Sequence, residues 1–544
     1  MLAVFNRDRF WLAATVVTAI LFSCAGFSLA QGQYTIQDDA RQHVFWLQRL
    51  NDPDLFPNDL IADYFSSVVP TGYKFVYWLA NLGGINPLVF NKILPLLLSI
   101  GTSIYLFLLT TTIFPVPLAG FFASLLLNQN LWMLDDLVSG TPRAFFYILF
   151  IGFIYHLLQR QLLLYLLFIV LQGLFYPQTV LISAGILSLN LIIQKKDRNI
   201  YLVGLIAAIL TVAIYKLQTA EFSQVITWAQ ARQLPEFAPG GRSAFFNDNL
   251  WQFWLAAKQS GWFPFEWQYF LMCAFGLLLP VVAKFPQQFP LAERLSSHTR
   301  IIWQILLASF GWYCLAHLLL FRLHLPSRYS QHTWRITISL LAGIILTILL
   351  QRLTSELAPY SNWRQGTIVA IATVILLYPT YAVQSYPQRL GYVTGQNPEL
   401  YQFLQQQPKN IIIATLSTEG DFIPSLARRK VLTAREYSIP YHWDYYSQIR
   451  QRTQDLIQAQ YSLESDQLKS FIRQYEIDFW LLDRSAFMPQ YLTHNDWIAQ
   501  FDSQVQLAIA NLVRQPAIVR DLNRCSAFQT KELNLLSAQC LLDD

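Results

Sequence analysis

Apolar residues in this chain come in long runs separated by short polar connectors. The first run covers 10–30, and others follow at roughly 88–113, 117–133, 143–158, 162–175, 177–193, 200–216, 267–284, 301–321, 336–351 and 366–383. About 20 apolar residues are what an α-helix needs to cross the hydrocarbon of a bilayer. The pattern therefore predicts an α-helical polytopic membrane protein with about 11 transmembrane helices. Several runs fall short of that length, and the pair around Phe175, Tyr176 and Pro177 reads as two spans, one hairpin or a broken helix. Arg7 and Arg9 precede the first run, which puts the N-terminus in the cytoplasm. Ser28 and Ala30 suit a signal-peptidase site, but the length of the run favours an uncleaved helix.

Beyond about residue 386 the runs shorten. Segment 410–415 reads as a buried parallel strand, 430–433 as a second short strand and 478–483 as a third; 445–461 and 465–475 read as helices. Alternating strands and helices predict a small α/β domain over 386–544, set after a transmembrane domain over 1–385. This tail has no Gly-rich phosphate loop and no metal-binding Cys/His spacing, so it is not expected to be the reaction centre.

Composition agrees with the pattern. Hydrophobic residues make up 54% of the chain and charged ones only 13%, about half the charged share of a soluble protein. A net charge of +5 with no basic stripe excludes a nucleic-acid partner. Counting spans from a cytoplasmic N-terminus puts the basic connectors 159–161, 195–198, 284–300 and 352–364 inside, as the positive-inside rule demands. The acidic loops 31–86 and 134–141, the long loop 217–266 and everything after Tyr381 then fall outside. The expected location is the plasma or inner membrane, with an extracytoplasmic tail. One loop breaks the rule: 322–335 carries Arg322, His324, Arg328, His332 and Arg335 on the outer face, where an anionic ligand is a physical candidate to compensate them. Cys24, Cys273 and Cys314 sit in apolar runs and are expected to be buried; Cys525 and Cys540 form a disulfide if the tail is exported, or remain two thiols.

Candidate chemistry gathers in the outer loops. Asp38 and Asp39, flanked by Gln37, Arg41, Gln42 and His43, are adjacent carboxylates: one can accept a proton, or both can share a divalent cation. As bare residues they equally suit a helix start. An N-terminal anchor, an acidic pair in the first large outer loop followed by His43, Val44 and Phe45, many spans and an external α/β tail together resemble the GT-C superfamily of membrane glycosyltransferases. That superfamily includes protein O-mannosyltransferases, aminoarabinose transferases and oligosaccharyltransferases. The resemblance differs from the mannosyltransferase Asp-Glu and His-Phe motifs by Asp39 in place of Glu and by the insertion of Val44. It implies that Asp38 is the catalytic carboxylate, with Asp39 second, and that a polyprenyl-phosphate-linked sugar is the donor partner.

Asp135 and Asp136 form a second outer acidic pair, which the resemblance implies binds acceptor or a metal, Mg or Mn being the candidates; alone they read as a solvated loop. Arg143 can grip a phosphate bidentately or snorkel to headgroups. Arg322, Arg328, Tyr329 and Arg335 can hold a donor phosphate and steady the leaving group, or bind headgroups. Trp228, Trp251, Trp254, Trp262 and Trp267 of the 217–266 region, beside Gly240, Gly241, Arg242 and Asp248, can stack on sugars or lie at the interface. The stretch Tyr441, His442, Trp443, Asp444, Tyr445 resembles the oligosaccharyltransferase Trp-Trp-Asp-Tyr-Gly signature only in part and carries no role here. Ser/His/Asp and thiol catalysis find no supporting spacing. The sequence thus predicts a membrane glycosyltransferase. The rival classes are a flippase or transporter of lipid-linked saccharides, which would place ionisable groups at mid-membrane, and a scaffold with a sensing tail.

Overall fold

The structure is a computed structural model that describes residues 7–194, 197–218, 222, 224–264, 272–356, 362–382 and 390–543. Lys195, Lys196, Trp267 and Tyr360-flanking positions 357–361 of the connectors singled out above lie outside the described residues. The chain is mostly helical, and among the described residues five helices are long and apolar enough to cross a membrane: Asp8–Leu29, Pro87–Ile113, Arg198–Leu217, Ser297–Leu318 and Pro326–Ser355. Pro142–Leu158, Leu162–Phe175, Gln178–Ile193 and Gly366–Tyr378 are apolar but shorter. The helices Leu162–Phe175 and Gln178–Ile193 part at Tyr176, so the ambiguous pair is two helices. The 267–284 run is described from Met272 onwards. Its described residues are helical from Met272 to Val282, with a 3-10 segment, Ala274–Leu278, between α-helical residues.

Packing in the bundle relies on close backbone approach and on polar pairs. The helix Gln331–Glu356 lies against the wholly buried helix Pro117–Leu131. A Cβ on Gly343 would meet the Ala123 nitrogen at 2.5 Å and the Ala119 oxygen at 2.8 Å, so only glycine permits this contact. Asn128 donates to Ser103 Oγ at 2.7 Å and accepts from Ser99 at 2.9 Å, while Asn190 and Gln304 exchange amide bonds at 3.1 and 3.0 Å. Each satisfies a polar group that would otherwise stand unpaired among apolar side chains. Cys24, expected to be buried, is exposed on the outward face of the first helix; Cys273 is buried and Cys314 partly so.

The bundle has two distinct ends. At one, Arg160 pairs with Asp197 at 3.1 Å, Gln159 donates to Thr112 at 3.0 Å and the Ser296 amide to the Ile113 carbonyl at 2.9 Å. These are the basic connectors. The acidic loops meet at the other end.

There the chain builds its sheets. Strand β1 (Thr35–Gln37) pairs antiparallel with β2 (Tyr392–Thr394), tying the segment after the first helix to the start of the tail. The strands β3 (Ile412–Thr415), β4 (Lys430–Val431), β5 (Phe479–Asp483), β6 (Ser526–Gln529) and β7 (Leu533–Ser537) form one sheet in the order β4-β3-β5-β7-β6. β3 is parallel to β4 and β5, while β7 is antiparallel to β5 and β6. Side chains alternate across it, as a two-residue period requires. Ile413, Leu481 and Leu535 join the large core that contains Val44, Phe45 and Phe65 from the first loop. Ala414, Trp480, Leu482 and Leu536 face a separate core under the helices Trp443–Gln460 and Ser465–Tyr475. Cys525 and Cys540 are disulfide-bonded.

Candidate functional site

Two acidic pairs approach each other at one glycine. Gly391, just before β2, has φ +72°, and its carbonyl accepts from the Asp38 amide at 2.7 Å. A Cβ there would stand 2.8 Å from Gln37 Nε2, 3.5 Å from the Asp135 Cβ and 3.8 Å from the Asp38 Cβ. Both the left-handed backbone and the crowding demand glycine. Asp38 and Asp39 follow β1 directly, and Asp135 and Asp136 open the helical turn Asp135–Val138 that follows the buried helix Pro117–Leu131. The β1–β2 pairing and that buried helix thus bring residues about a hundred positions apart into one cluster.

Arg143 stands between the pairs. Its Nη2 contacts Asp39 Oδ2 and lies 3.0 Å from Asp135 Oδ2, and its Nη1 lies 3.7 Å from Asp136 Oδ1. Asp136 is the most buried of the four carboxylates. Its Oδ2 is contacted by Arg335 Nη1 and accepts from Tyr147 at 3.2 Å, with His332 Nδ1 at 3.6 Å. Asp38 is the most open, with 44% of its side chain exposed, and only its Oδ1 is engaged, by Arg41. Partial burial raises the Asp135 pKa, but Arg143, Lys258 and Arg328 outweigh that and hold it at about 2. Burial lowers the His43 pKa to about 4, with Arg143 adding to the effect and Asp39 opposing it. Buried nitrogens without a hydrogen-bond partner ring the carboxylates: Nε of Arg143 and Arg335, Nε2 of His332 and Nδ1 of His43.

A second network reaches Asp38 from the tail. Arg41 Nη2, which holds Asp38, lies 3.2 Å from Glu436 Oε2; Nη1 lies 3.9 Å from Asp421, and the guanidinium stacks 4.7 Å from the Phe422 ring centroid. Glu436 also takes Arg242 Nη2 at 3.3 Å, and its carbonyl accepts from Gln42 at 3.0 Å. The tail, which its motifs do not mark as the reaction centre, nonetheless reaches the site: Gly391, Asp421 and Glu436 all contact the residues around Asp38. Motif reading missed these three because none sits in a recognisable pattern and each acts through a partner hundreds of residues away.

The residues of the 322–335 segment divide. Arg328 is half-buried and makes no ion pair among the described residues, and its charge is felt by Asp135, His324 and Tyr441. Ser327 bonds the Lys258 and Gln259 carbonyls at 2.9 and 3.2 Å, which sets exposed Lys258 beside Arg328. Lys258 was not singled out in the sequence. Tyr329, by contrast, is 1% exposed and spends its hydroxyl on the Leu323 carbonyl at 2.8 Å. Arg322 is exposed on the turn between Phe321 and His324 and makes no ion pair among the described residues. His332 and Arg335 lie not in a loop but in the first turns of the helix Gln331–Glu356, buried against Asp136. In the aromatic loop, Trp254 packs 4.4 Å from the His317 ring and Trp262 5.1 Å from the Tyr313 ring, while the Arg232 guanidinium lies 4.5 Å from the Trp228 ring and 5.2 Å from the Phe246 ring.

A divalent cation needs three or more oxygen ligands free to turn on it. Among the described residues no group of three or more His, Cys, Asp or Glu side chains is arranged to hold a metal ion. The carboxylates of the cluster instead face guanidinium groups, so the residues present do not fit a metal.

No protein-family description matches the sequence, and no curated protein is similar to it in sequence. Its fold is nonetheless shared with solved structures. The archaeal oligosaccharyltransferase AglB from Archaeoglobus fulgidus, in complex with an inhibitory peptide and a dolichol-phosphate, superposes with a TM-score of 0.54 at 10% identity, over 92% of this chain and 72% of that one. The same enzyme tethered with an acceptor peptide containing the NVT sequon gives 0.52 at 11% identity, over the same shares. ArnT from Cupriavidus metallidurans in the apo state gives 0.49 at 10% identity, over 97% of this chain and 98% of that one. At 10–11% identity, the likeness shows that this chain shares the fold of the archaeal oligosaccharyltransferase AglB.

Proposed function

We propose that this chain is a membrane glycosyltransferase that moves a sugar from a polyprenyl-phosphate-linked donor to an acceptor on the extracytoplasmic side. The observation that carries the reading is the meeting of Asp39, Asp135 and Asp136 on Arg143, with Asp38 beside them, next to Arg328 and Lys258, which make no ion pair among the described residues, at one end of an apolar bundle. The likeness to AglB, solved with a dolichol-phosphate and a peptide, supports the same class of donor. That all acidic loops gather at one end and the basic connectors at the other supports the orientation inferred from the positive-inside rule.

In this reading Asp38 is the catalytic base. Its Oδ2 is free among the described residues, while Arg41 holds Oδ1 and fixes the direction in which Oδ2 points. The acceptor nucleophile gives its proton to Asp38 and attacks the anomeric carbon, and the bond to the lipid phosphate breaks with its electron pair leaving on oxygen. Arg328 and Lys258 take up the charge that grows on that phosphate. Asp39 and Asp135, bound through Arg143, form the wall opposite and give acceptor hydroxyls or amides hydrogen-bond acceptors. The apolar helices hold the donor's lipid tail. The tail of the chain, from about 386, is an extracytoplasmic unit that closes over the site.

The test is transfer of radiolabelled sugar from polyprenyl-phosphate donors by the purified chain in nanodiscs. Asp38→Asn should abolish transfer with the fold intact by thermal unfolding. A flippase would instead move fluorescent lipid-linked saccharide across vesicles with Asp38→Asn unimpaired, and that result would end the glycosyltransferase reading.

A further inference from the structure

The carboxylate cluster is the kind of site at which GT-C enzymes are expected to seat a divalent metal, yet its residues point elsewhere. Arg143 Nη2 is shared by Asp39 Oδ2 and Asp135 Oδ2, the latter at 3.0 Å, while Nη1 of the same side chain reaches Asp136 Oδ1 at 3.7 Å. Carboxylates that would bridge a cation therefore converge on one nitrogen of a guanidinium. The other oxygen of Asp136 is taken by Arg335 and Tyr147, and Asp38 by Arg41. Each of the four carboxylates already has a fixed cation, and only 12% of the Arg143 side chain is exposed.

We infer that Arg143 is the resident cation of this site: its guanidinium occupies the place of a divalent metal, so the chain binds its substrates and works without one. The inference rests on the glycosyltransferase reading only for the word "works"; the binding statement stands on geometry. Three carboxylates around one guanidinium explain why the site is rich in acid without being a metal centre. A guanidinium cannot be deprotonated at physiological pH, so it offers a permanent positive charge and planar donors where a metal would supply a charge and coordination bonds. It holds Asp39 and Asp135 at a fixed separation, and unlike a metal it cannot be removed by chelation.

The test uses the full chain in nanodiscs with Mn2+ as probe, read by the electron paramagnetic resonance of free Mn2+. The wild type should leave the free signal undiminished at equimolar protein, and sugar transfer after EDTA treatment should stay within about twofold of the untreated value. Arg143→Gln removes the cation while keeping a polar side chain, so Asp39, Asp135 and Asp136 should then capture about one Mn2+ per chain. Asp39→Asn added to Arg143→Gln should weaken that capture about tenfold or more. Stoichiometric Mn2+ binding by the wild type would overturn the inference, as would a folded Arg143→Gln variant that captures none. Should Arg143→Gln not fold, the wild-type binding and EDTA arms still decide. Absence of any transfer by the wild type, with or without metal, would count against the proposed function and leave the Mn2+ result to judge Arg143 alone.

Discussion

Glu436 offers the sharpest test of how the tail acts on Asp38. It is 3% exposed, and its carboxyl is shared by Arg41 at 3.2 Å and Arg242 at 3.3 Å, with Gln42 and Asp421 alongside. Burial pushes its pKa up to about 8; Arg242 and Arg41 pull it down, and Asp38 and Asp421 push it up again. The folded pKa therefore exceeds the unfolded value. A carboxyl of this kind stabilises the fold fully below its unfolded pKa, and that contribution is lost as pH rises through the folded one. Wild-type stability should thus decline between about pH 5 and pH 8. At pH 7 the group is largely protonated, so Glu436→Gln, a neutral isostere that keeps the acceptor, should change stability by less than about 1 kcal/mol. Glu436→Ala strips acceptors from two guanidiniums and should cost about 3 kcal/mol. The assay is thermal or denaturant unfolding of the detergent-solubilised chain, followed at several pH values. Glu436→Gln should flatten the decline that the wild type shows. A Gln variant as damaged as the Ala variant at pH 7 would mean that Glu436 is ionised there, as breaking a buried ion pair costs about 3–5 kcal/mol, and would refute the argument. Transfer should follow the same order: nearly wild-type for Gln, and a lower kcat for Ala as Arg41 loses its anchor and Asp38 its orientation.

Three other outcomes are expected. Arg328→Ala and Lys258→Ala should each raise the KM for the lipid-linked donor about tenfold, worth about 1.4 kcal/mol, whereas Tyr329→Phe should cost about 1 kcal/mol of stability and leave that KM unchanged; steady-state kinetics with varied donor separates them. Gly391→Ala forces a side chain into a left-handed backbone between Asp38 and Asp135, so it should lose about 1–2 kcal/mol in unfolding assays and most of its transfer activity. Replacing Cys525 and Cys540 by Ser opens a loop with a sequence separation of 15 and should cost about 3 kcal/mol, read as a lower unfolding midpoint that reductant reproduces in the wild type.

What the sequence revealed depends on how local each signal is. A helix predicted over 465–475 is the helix Ser465–Tyr475, and the strand expected at 478–483 is β5, because length, periodicity and caps lie within the segment itself. The β1–β2 pair escaped notice, since Thr35–Gln37 and Tyr392–Thr394 are three residues each and find their partner only across the whole bundle. Strands β6 and β7 were missed for another reason: Ser526 and Gln529 make β6 too polar to stand out, and its irregular register hides the alternation.

The site shows the same division at the level of charge. Carboxylates announce themselves in an apolar sequence, since an acid beside a membrane span needs a reason, and all four proposed ones meet within a single cluster. Cations do not announce what they pair with. Arg335 and Arg328 are seven residues apart in one segment, yet one is buried on Asp136 and the other is left without an ion pair among the described residues. The difference lies in the helix that begins at Gln331: from there on, side chains point into the bundle, where an unpaired charge would cost several kcal/mol and must find a carboxylate. Arg328, one turn earlier and half-buried, escapes that demand. Its freedom is therefore a consequence of where a helix starts, and a guanidinium without an ion pair among the described residues, held near carboxylates that already face other guanidiniums, is what makes this end of the bundle suited to an anionic ligand.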